Sequence, residues 1–248
     1  MSLCKDCVTG VRHEGTPEGK IETVNGVKVY IATPKVDYPK DKALLFLTDV
    51  FGLDLINNQL LADDFARNGF YTIIPDYLNG DPLAPDAFSK PDFNIADWFK
   101  NHMAEQTRPP LDKVIAWLKG NGVKEFAATG YCFGARYVFD LAFDGFIKAS
   151  VVSHPSLLNV EEDMGKYVKE VKAPLLINSC THDTQFPLEA QAKTDAIFAD
   201  EKAPLYKRVY FGGCTHGFAV RGDLKDPKVK AGKEGAFRAA VEWFMEYM

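Results

Sequence analysis

No stretch of this sequence is apolar over the roughly 18 residues that a membrane-spanning helix needs. Lysines and arginines form no cluster, and the net charge is −5 at pH 7, which argues against nucleic acid or an anionic membrane surface as a partner. The first residues lack the apolar core of a signal peptide, and five cysteines, an odd number, suit a reducing compartment better than a disulfide framework. We therefore expect a cytoplasmic protein.

The sequence does contain enough apolar material for a full core. Hydrophobic residues make up 46% of the chain, and no linker-like change of composition interrupts it, so we expect residues 1–248 to form a single α/β domain, as a monomer or a homodimer. Cys4 and Cys7 form one Cys-x-x-Cys pair. Because no second cysteine or histidine pair accompanies them, we expect a surface or packing role rather than a zinc or redox role.

Short apolar runs alternate with amphipathic runs, the pattern of a parallel sheet covered by helices. Residues 26–32 alternate as a half-buried antiparallel strand does. Buried strands are predicted at 43–48, 70–74, 149–153, 174–178 and 206–211, and helices at 59–68, 111–118, 137–143, 160–171 and 237–244. The order predicts a mostly parallel, doubly wound sheet with one antiparallel edge, flanked by helices.

The pentapeptide Gly130-Tyr131-Cys132-Phe133-Gly134 lies between an apolar run and an amphipathic run. Strand, sharp turn and helix in this order are typical of a nucleophile elbow, whose glycines leave room for a tight turn. Cys132 would then lie at a helix N-terminus, which favours a thiolate, with the Phe133 N–H free to meet an oxyanion. The alternative is that both glycines only allow close packing and Cys132 is a small buried apolar residue.

An acid and a base follow the elbow in the chain order of the hydrolase elbow fold. Asp183 comes a few residues after one predicted strand and His216 shortly after the last one. An imidazole at His216 would take the thiol proton and return it to the leaving group, and the Asp183 carboxylate would orient the ring. The alternatives are a loop histidine and a turn aspartate. His182 also follows a strand, but it belongs to the wrong strand for the base.

The second oxyanion donor is expected in the loop after strand 43–48, where the backbone N–H of Val50 is the candidate. Asp49 would then lie close to the nucleophile. Its alternative role is to cap the loop or the following helix.

The substrate walls are expected in residues 77–108, which are rich in Pro, Asp and Asn and contain several aromatic residues. Tyr77 and Trp98 are the candidate substrate contacts in this segment. His154, which also follows a strand, is expected to line the pocket.

With these residues assembled, the chain resembles the dienelactone hydrolase family of the α/β-hydrolase fold, particularly its fungal and other eukaryotic members. The pentapeptide 130–134 and Thr215-His216-Gly217-Phe218-Ala219 carry the resemblance. It implies hydrolysis of a small-molecule ester or lactone through an acyl-enzyme, with no metal or organic cofactor. The roles it implies are Cys132 as nucleophile, His216 as base, Asp183 as orienting acid, and Val50 and Phe133 as the oxyanion hole.

Three positions differ from the bacterial members. Those members carry a glutamate that restrains the resting thiol, where this sequence has the shorter Asp49, and an arginine that grips the substrate carboxylate, where it has Gly80. A second family arginine matches Arg221, shifted by one position. Arg221 either reaches over the site to a substrate carboxylate or enolate, or is a solvated residue paired with Asp223.

Two other functions use the same residues or the same fold. A thioesterase or acyltransferase would employ the same triad with another acyl acceptor. A non-catalytic small-molecule binder could share the scaffold, because fold does not fix function. The complete set of nucleophile, base and acid favours the ester or lactone hydrolase.

Overall fold

The structure, a computed structural model, describes residues 9–248, so Cys4 and Cys7 lie outside the described residues. One eight-stranded sheet has the order β1-β2-β4-β3-β5-β6-β7-β8. Its strands are β1 (Lys20–Val24), β2 (Val27–Ala32), β3 (Lys42–Leu47), β4 (Thr72–Pro75), β5 (Glu125–Tyr131), β6 (Ser150–Ser153), β7 (Leu175–His182) and β8 (Tyr206–Thr215). Only β2 pairs in antiparallel fashion with its neighbours, so the predicted mostly parallel sheet with an antiparallel edge is confirmed.

Helices cover both faces of the sheet. They are α1 (Ile56–Arg67), α2 (Ile95–Phe99), α3 (Ala104–Gly120), α4 (Gly134–Phe143), α5 (Gly165–Glu170), α6 (Leu188–Phe198), α7 (Phe218–Arg221) and α8 (Pro227–Tyr247). Helices α1, α7 and α8 pack against one face, and α3, α4, α5 and α6 pack against the other. Along β3, Leu45 faces the second layer whereas Leu44 and Phe46 face the first, as the two-residue period of a strand requires. None of the helices described in residues 9–248 combines the length and the apolar character that crossing a bilayer requires.

Several elements differ from their predicted bounds. Strand β2 is almost entirely buried instead of half-buried, because α1 and α3 cover its two faces. Residues 160–171 form a π-helical turn, Val160–Met164, followed by the short α5, instead of one helix. Strand β1 and helices α2, α6 and α7 were not predicted. The C-terminal helix α8 starts ten residues before its predicted start at 237.

Helix α3 begins at Ala104, whereas its apolar period predicted a start at 111. Pro109 and Pro110 in its second turn hide the start, because proline normally interrupts a helix by removing a backbone donor. The carbonyl of Gln106, which would have bonded the missing N–H of Pro110, accepts a hydrogen bond from the Asn79 side-chain amide at 3.0 Å. A polar residue from the preceding loop thus replaces the lost helical bond.

Strands β7 and β8 both run further than predicted. β7 continues to His182 and β8 to Thr215, so Asp183 and His216 follow the strand ends directly instead of lying a few residues beyond them. The two strands pair up to their last residues, where His182 faces Thr215 across a register irregularity. This pairing brings the predicted acid and base to the same point of the sheet edge.

Candidate active site

The elbow is built where β5 passes into α4. Cys132 has φ +51°, a conformation that L-residues rarely adopt. A Cβ on Gly130 would lie 2.6 Å from Val138 Cγ2, and one on Gly134 would lie 2.2 Å from the Leu47 carbonyl oxygen. Strand, helix and the end of β3 are therefore so close that only glycine fits at either position, and the turn between them holds Cys132 at the sheet edge.

The Cys132 side chain is almost enclosed, with 9% of the residue exposed. Its Sγ lies 3.6 Å from the Ser156 Oγ, and the Ser156 N–H donates to the Cys132 carbonyl at 3.1 Å. Ser156 was not predicted, because only the fold of the loop after β6 brings it to the elbow. The other two cysteines in residues 9–248, Cys180 and Cys214, are completely buried.

Asp183 and His216 form a hydrogen bond of 2.9 Å between Oδ1 and Nδ1. The same carboxylate oxygen accepts the backbone N–H groups of Gln185 and Phe186 at 2.8 and 3.0 Å, so the acid is fixed in place. The His216 backbone N–H donates to the carbonyl of His182 at 2.9 Å. The His182 side chain is exposed, and the imidazole bonded to Asp183 is that of His216.

The His216 imidazole is electrostatically tied to both partners. Burial lowers its pKa, but hydrogen bonds with Asp183 and with Cys132 outweigh burial and raise the pKa from 6.5 to about 9. Cys132, His216 and Asp183 are thus brought together in one hydrogen-bonded series. Near neutral pH this series favours an imidazolium beside the sulfur.

His154 lies beneath the His216 ring, not on an open pocket wall as the sequence predicted. It is completely buried, and its ring meets that of His216 edge to face at 5.0 Å and that of Phe218 at 5.6 Å. Its backbone has φ +40°, and neither ring nitrogen has a hydrogen-bond partner among the described residues. Burial, together with the nearby charges of His216 and Arg221, holds the pKa of His154 well below its usual value, so its ring is neutral.

Asp49 and Arg221 form a pair across the front of the site. The fully buried Asp49 accepts the Arg221 Nε–H at 3.0 Å and the Phe51 N–H at 3.2 Å. Asp49 therefore caps its own loop, whereas the predicted cap of the following helix is wrong because Leu55 occupies that position. The predicted pairing of Arg221 with Asp223 is also wrong, since Asp223 caps the backbone of its own turn.

We expect Arg221→Ala to destabilise the fold by about 1–3 kcal/mol, because it leaves the buried Asp49 carboxylate without its cation. Chemical denaturation of wild type and variant measures this difference. Arg238→Ala, which removes an exposed arginine from α8, is the control and should change stability by less than about 0.5 kcal/mol. Equal stability of the two variants would mean that the buried pair contributes nothing.

Tyr77 packs behind the elbow and does not face a substrate, contrary to the prediction. It is completely buried, its hydroxyl donates to the Thr48 carbonyl at 2.6 Å, and its ring stacks on Phe133 at 6.0 Å. Trp98 is half-buried, donates its indole N–H to the Asp81 carbonyl at 2.9 Å, and meets the Phe133 ring edge to face at 5.5 Å. Its contact with substrate stays a prediction.

The two candidate oxyanion donors lie on adjoining pieces of backbone. Phe133 follows Cys132 at the start of α4, and the end of β3 that carries Val50 abuts Gly134. Within residues 9–248, neither the Val50 N–H nor the Phe133 N–H donates to a protein acceptor. No three histidine, cysteine or carboxylate side chains in the same residues are grouped closely enough to hold a metal ion.

Comparisons with known proteins agree with this geometry. The model of the dienelactone hydrolase family matches residues 27–248. The chain is 34% identical to Hydrolase pyvD of Aspergillus violaceofuscus, covering 98% of this chain and 96% of the relative, and 33% identical to Dienlactone hydrolase 1 of Gibberella moniliformis, covering 97% and 92%. The crystal structure of dienelactone hydrolase from Anabaena variabilis superposes with a TM-score of 0.64 at 16% identity, over 94% of this chain and 100% of that one, which shows a shared fold.

Proposed function

Because this chain belongs to the dienelactone hydrolase family, we propose that it hydrolyses a small ester or lactone through a Cys132–His216–Asp183 triad and an acyl-enzyme. The observation that carries the proposal is the Asp183–His216 hydrogen bond at 2.9 Å, with the same imidazole hydrogen-bonded to the thiol of the elbow. A carboxylate that fixes an imidazole next to a nucleophile is the arrangement that acyl transfer requires.

In the proposed first half-reaction, the Cys132 sulfur attacks the carbonyl carbon of the ester or lactone and forms a C–S bond. Negative charge collects on the carbonyl oxygen, where the unpaired N–H groups of Val50 and Phe133 would stabilise it. The tetrahedral adduct collapses, the C–O bond breaks, and the His216 imidazolium gives its proton to the departing oxygen. An alcohol leaves, or the opened end of a lactone stays attached through the acyl group.

In the second half-reaction, the now neutral His216 takes a proton from a water molecule, and the hydroxide oxygen attacks the thioester carbon. The C–S bond breaks, the acid leaves, and the sulfur and imidazolium return to their starting state. Asp183 accepts no proton in either half. It holds the Nδ1–H of His216, so that Nε2 is the nitrogen that exchanges protons with sulfur, leaving group and water.

Trapping the acyl-enzyme tests this proposal directly. The protein is mixed with a panel of aryl esters and small lactones, quenched in acid within the first turnovers, and analysed by intact mass and peptide mapping. We expect an added acyl mass on Cys132. Hydrolysis with no covalent adduct, or with an adduct on another residue, would contradict the mechanism. Added alcohols, amines or thiols show by product analysis whether an acceptor other than water is preferred, as a transferase would prefer.

The Asp183→Asn variant is expected to lower kcat/KM by roughly 10²–10⁴-fold and to move the alkaline limb of its pH profile below about pH 9. The carboxylate helps to keep the imidazolium protonated, and an amide does so less well. Steady-state kinetics between pH 5 and 10 measure both effects. Asp200→Asn is the matched control, because Asp200 also accepts the N–H two residues on, but lies in the exposed loop before β8. An unmoved limb in Asp183→Asn would rule out this electrostatic role.

The same raised pKa links the site to stability. The His216 pKa in the fold, about 9, is above the ordinary 6.5, so the contact stabilises the protein fully below pH 6.5. That contribution is lost as the pH rises through about 9. Thermal unfolding of wild type and Asp183→Asn should therefore differ more at pH 6 than at pH 10.

A further inference from the structure

The segment between β4 and α3 is anchored beside the oxyanion hole. The Leu83 N–H donates to the Val50 carbonyl at 2.8 Å, and the Trp98 indole N–H donates to the Asp81 carbonyl at 2.9 Å. Between these anchors, the hydrogen bonds of residues 84–96 join near neighbours along the chain, as in Ala87 to Ala84 and Phe93 to Lys90. The position of this stretch therefore depends on its side-chain packing.

That packing is aromatic. Phe88 meets Phe51 edge to face at 6.1 Å and meets Phe93 at 5.2 Å, and we name these three residues the aromatic wall. Phe51 is buried and directly follows the oxyanion donor Val50, whereas Phe88 is 58% exposed. A large ring so exposed, held on a buried ring next to a reactive thiol, is an apolar surface continuous with the site.

Arg221 connects the aromatic wall to the base. Its guanidinium lies 4.5 Å from the centre of the Phe51 ring, at a distance that suits a cation–π contact. A Cβ on Gly217 would lie 2.9 Å from the guanidinium carbon, so the guanidinium rests against the residue that follows His216. The wall therefore extends from the base, across Phe51, to Phe88.

The charge around this wall disfavours a carboxylate. Arg221 is paired with the fully buried Asp49, so drawing the arginine toward a substrate carboxylate would leave a buried anion uncompensated. Residues 81–100 contain four aspartates and two lysines, a net charge of −2. Lys90 and Lys100 are paired with Asp86 and Asp97 of the same segment. A neutral group meets neither cost.

We propose that the aromatic wall binds an aromatic ring of a neutral ester or lactone, and that Phe88 is a specificity-determining residue. The proposal rests on the hydrolase function proposed above and names the substrate class of that site. The ring would lie on the exposed face of Phe88, while the reacting carbonyl reaches Cys132 beside Val50. Arg221 in this arrangement holds Phe51 and Asp49 in place.

Matched ester pairs test the proposal by selectivity. Phenyl acetate against 2,2,2-trifluoroethyl acetate varies the ring in the alcohol part, and methyl phenylacetate against methyl acetate varies it in the acyl part. For Phe88→Ala we expect the ratio of kcat/KM within at least one pair to fall about fivefold to tenfold, the size of one aromatic contact. Phe88→Tyr, which keeps the ring, should hold the ratio within about twofold.

Leu205→Ala is the control, because it removes a similarly exposed apolar side chain at the opposite end of the strands, before β8. Ratios unchanged by Phe88→Ala in both pairs, or changed equally by Leu205→Ala, would overturn the inference. Both residues are exposed, so we expect both variants to fold.

Binding to the Cys132→Ala variant provides a measurement that does not need turnover. Isothermal titration with phenyl acetate and with 4-carboxyphenyl acetate should show tighter binding of the neutral ester, by about tenfold, and the difference should shrink in Cys132→Ala/Phe88→Ala. Equal or tighter binding of the carboxylated ester would overturn the assignment of a neutral substrate. If wild type hydrolyses none of the esters, the proposed hydrolase function fails, and the titration still decides whether the ring binds.

Discussion

Cys132→Ala is expected to lower kcat by on the order of 10⁴-fold or more, with little change in the melting temperature. The sulfur is the proposed attacking atom, and no other described cysteine is near the surface to replace it. The fold should survive because alanine keeps the Cβ, so the positive φ is no more strained than in wild type. The lost contact is the 3.6 Å approach to Ser156. Steady-state kinetics and thermal unfolding by circular dichroism measure the two halves of this expectation.

Cys132→Ser sharpens the same prediction. A hydroxyl needs a much stronger base than a thiol does, so we expect a loss of roughly 10²-fold or more in kcat. Full activity in the serine variant would mean that His216 and Asp183 act as a serine-type triad. Residual activity above a tenth of wild type in Cys132→Ala would mean that the nucleophile lies elsewhere.

Gly134→Ala is expected to have the largest effect on stability of any single-methyl change in the chain. The added Cβ would lie 2.2 Å from the Leu47 carbonyl oxygen and 2.8 Å from that of Thr48, both of them backbone atoms that cannot move alone. Overpacking of this kind costs about 1–3 kcal/mol or more. Because the displaced backbone leads directly to Val50, kcat/KM should fall as well. Urea denaturation and ester hydrolysis measured on the same preparation test both effects.

The control for this substitution is Gly165→Ala at the start of α5. A Cβ there meets nothing within 4 Å, and the φ angle is negative, as alanine prefers. We expect this variant to be as stable as wild type or more stable by about 0.5–1 kcal/mol, since glycine weakens a helix. Similar destabilisation by both substitutions would show that the contact with β3 is not the cause.

The sequence allowed the sheet and the positions of the three central residues to be predicted, because these depend on local patterns. Two glycines four residues apart between a strand and a helix indicate the elbow, and Asp183 and His216 follow apolar runs whose carboxyl ends share one edge. The exact strand ends were not predictable, since β7 and β8 continue through polar residues that only their pairing stabilises.

Contacts between distant residues could not be predicted in the same way. Asp49 and Arg221 are 172 positions apart, and nothing local distinguishes Arg221 from a surface arginine. His154 and Ser156 reach the site through a loop with two positive φ angles, at His154 and Leu157, which no residue preference indicates. Tyr77 has an amphipathic side chain that is equally suited to a pocket wall, and only the packing against Phe133 shows that it is buried.

The different exposure of the three described cysteines determines how the enzyme can be counted. Cys180 and Cys214 are completely buried, and burial raises the pKa of both thiols, that of Cys180 to about 12. Cys132 is the one of the three that an electrophile can reach, and it lies beside an imidazolium. A stoichiometric alkylating reagent, followed by mass spectrometry of the peptide that contains Cys132, therefore serves as an active-site titrant. It would give the concentration of competent enzyme in a preparation, so that rates of variants can be expressed per functional site.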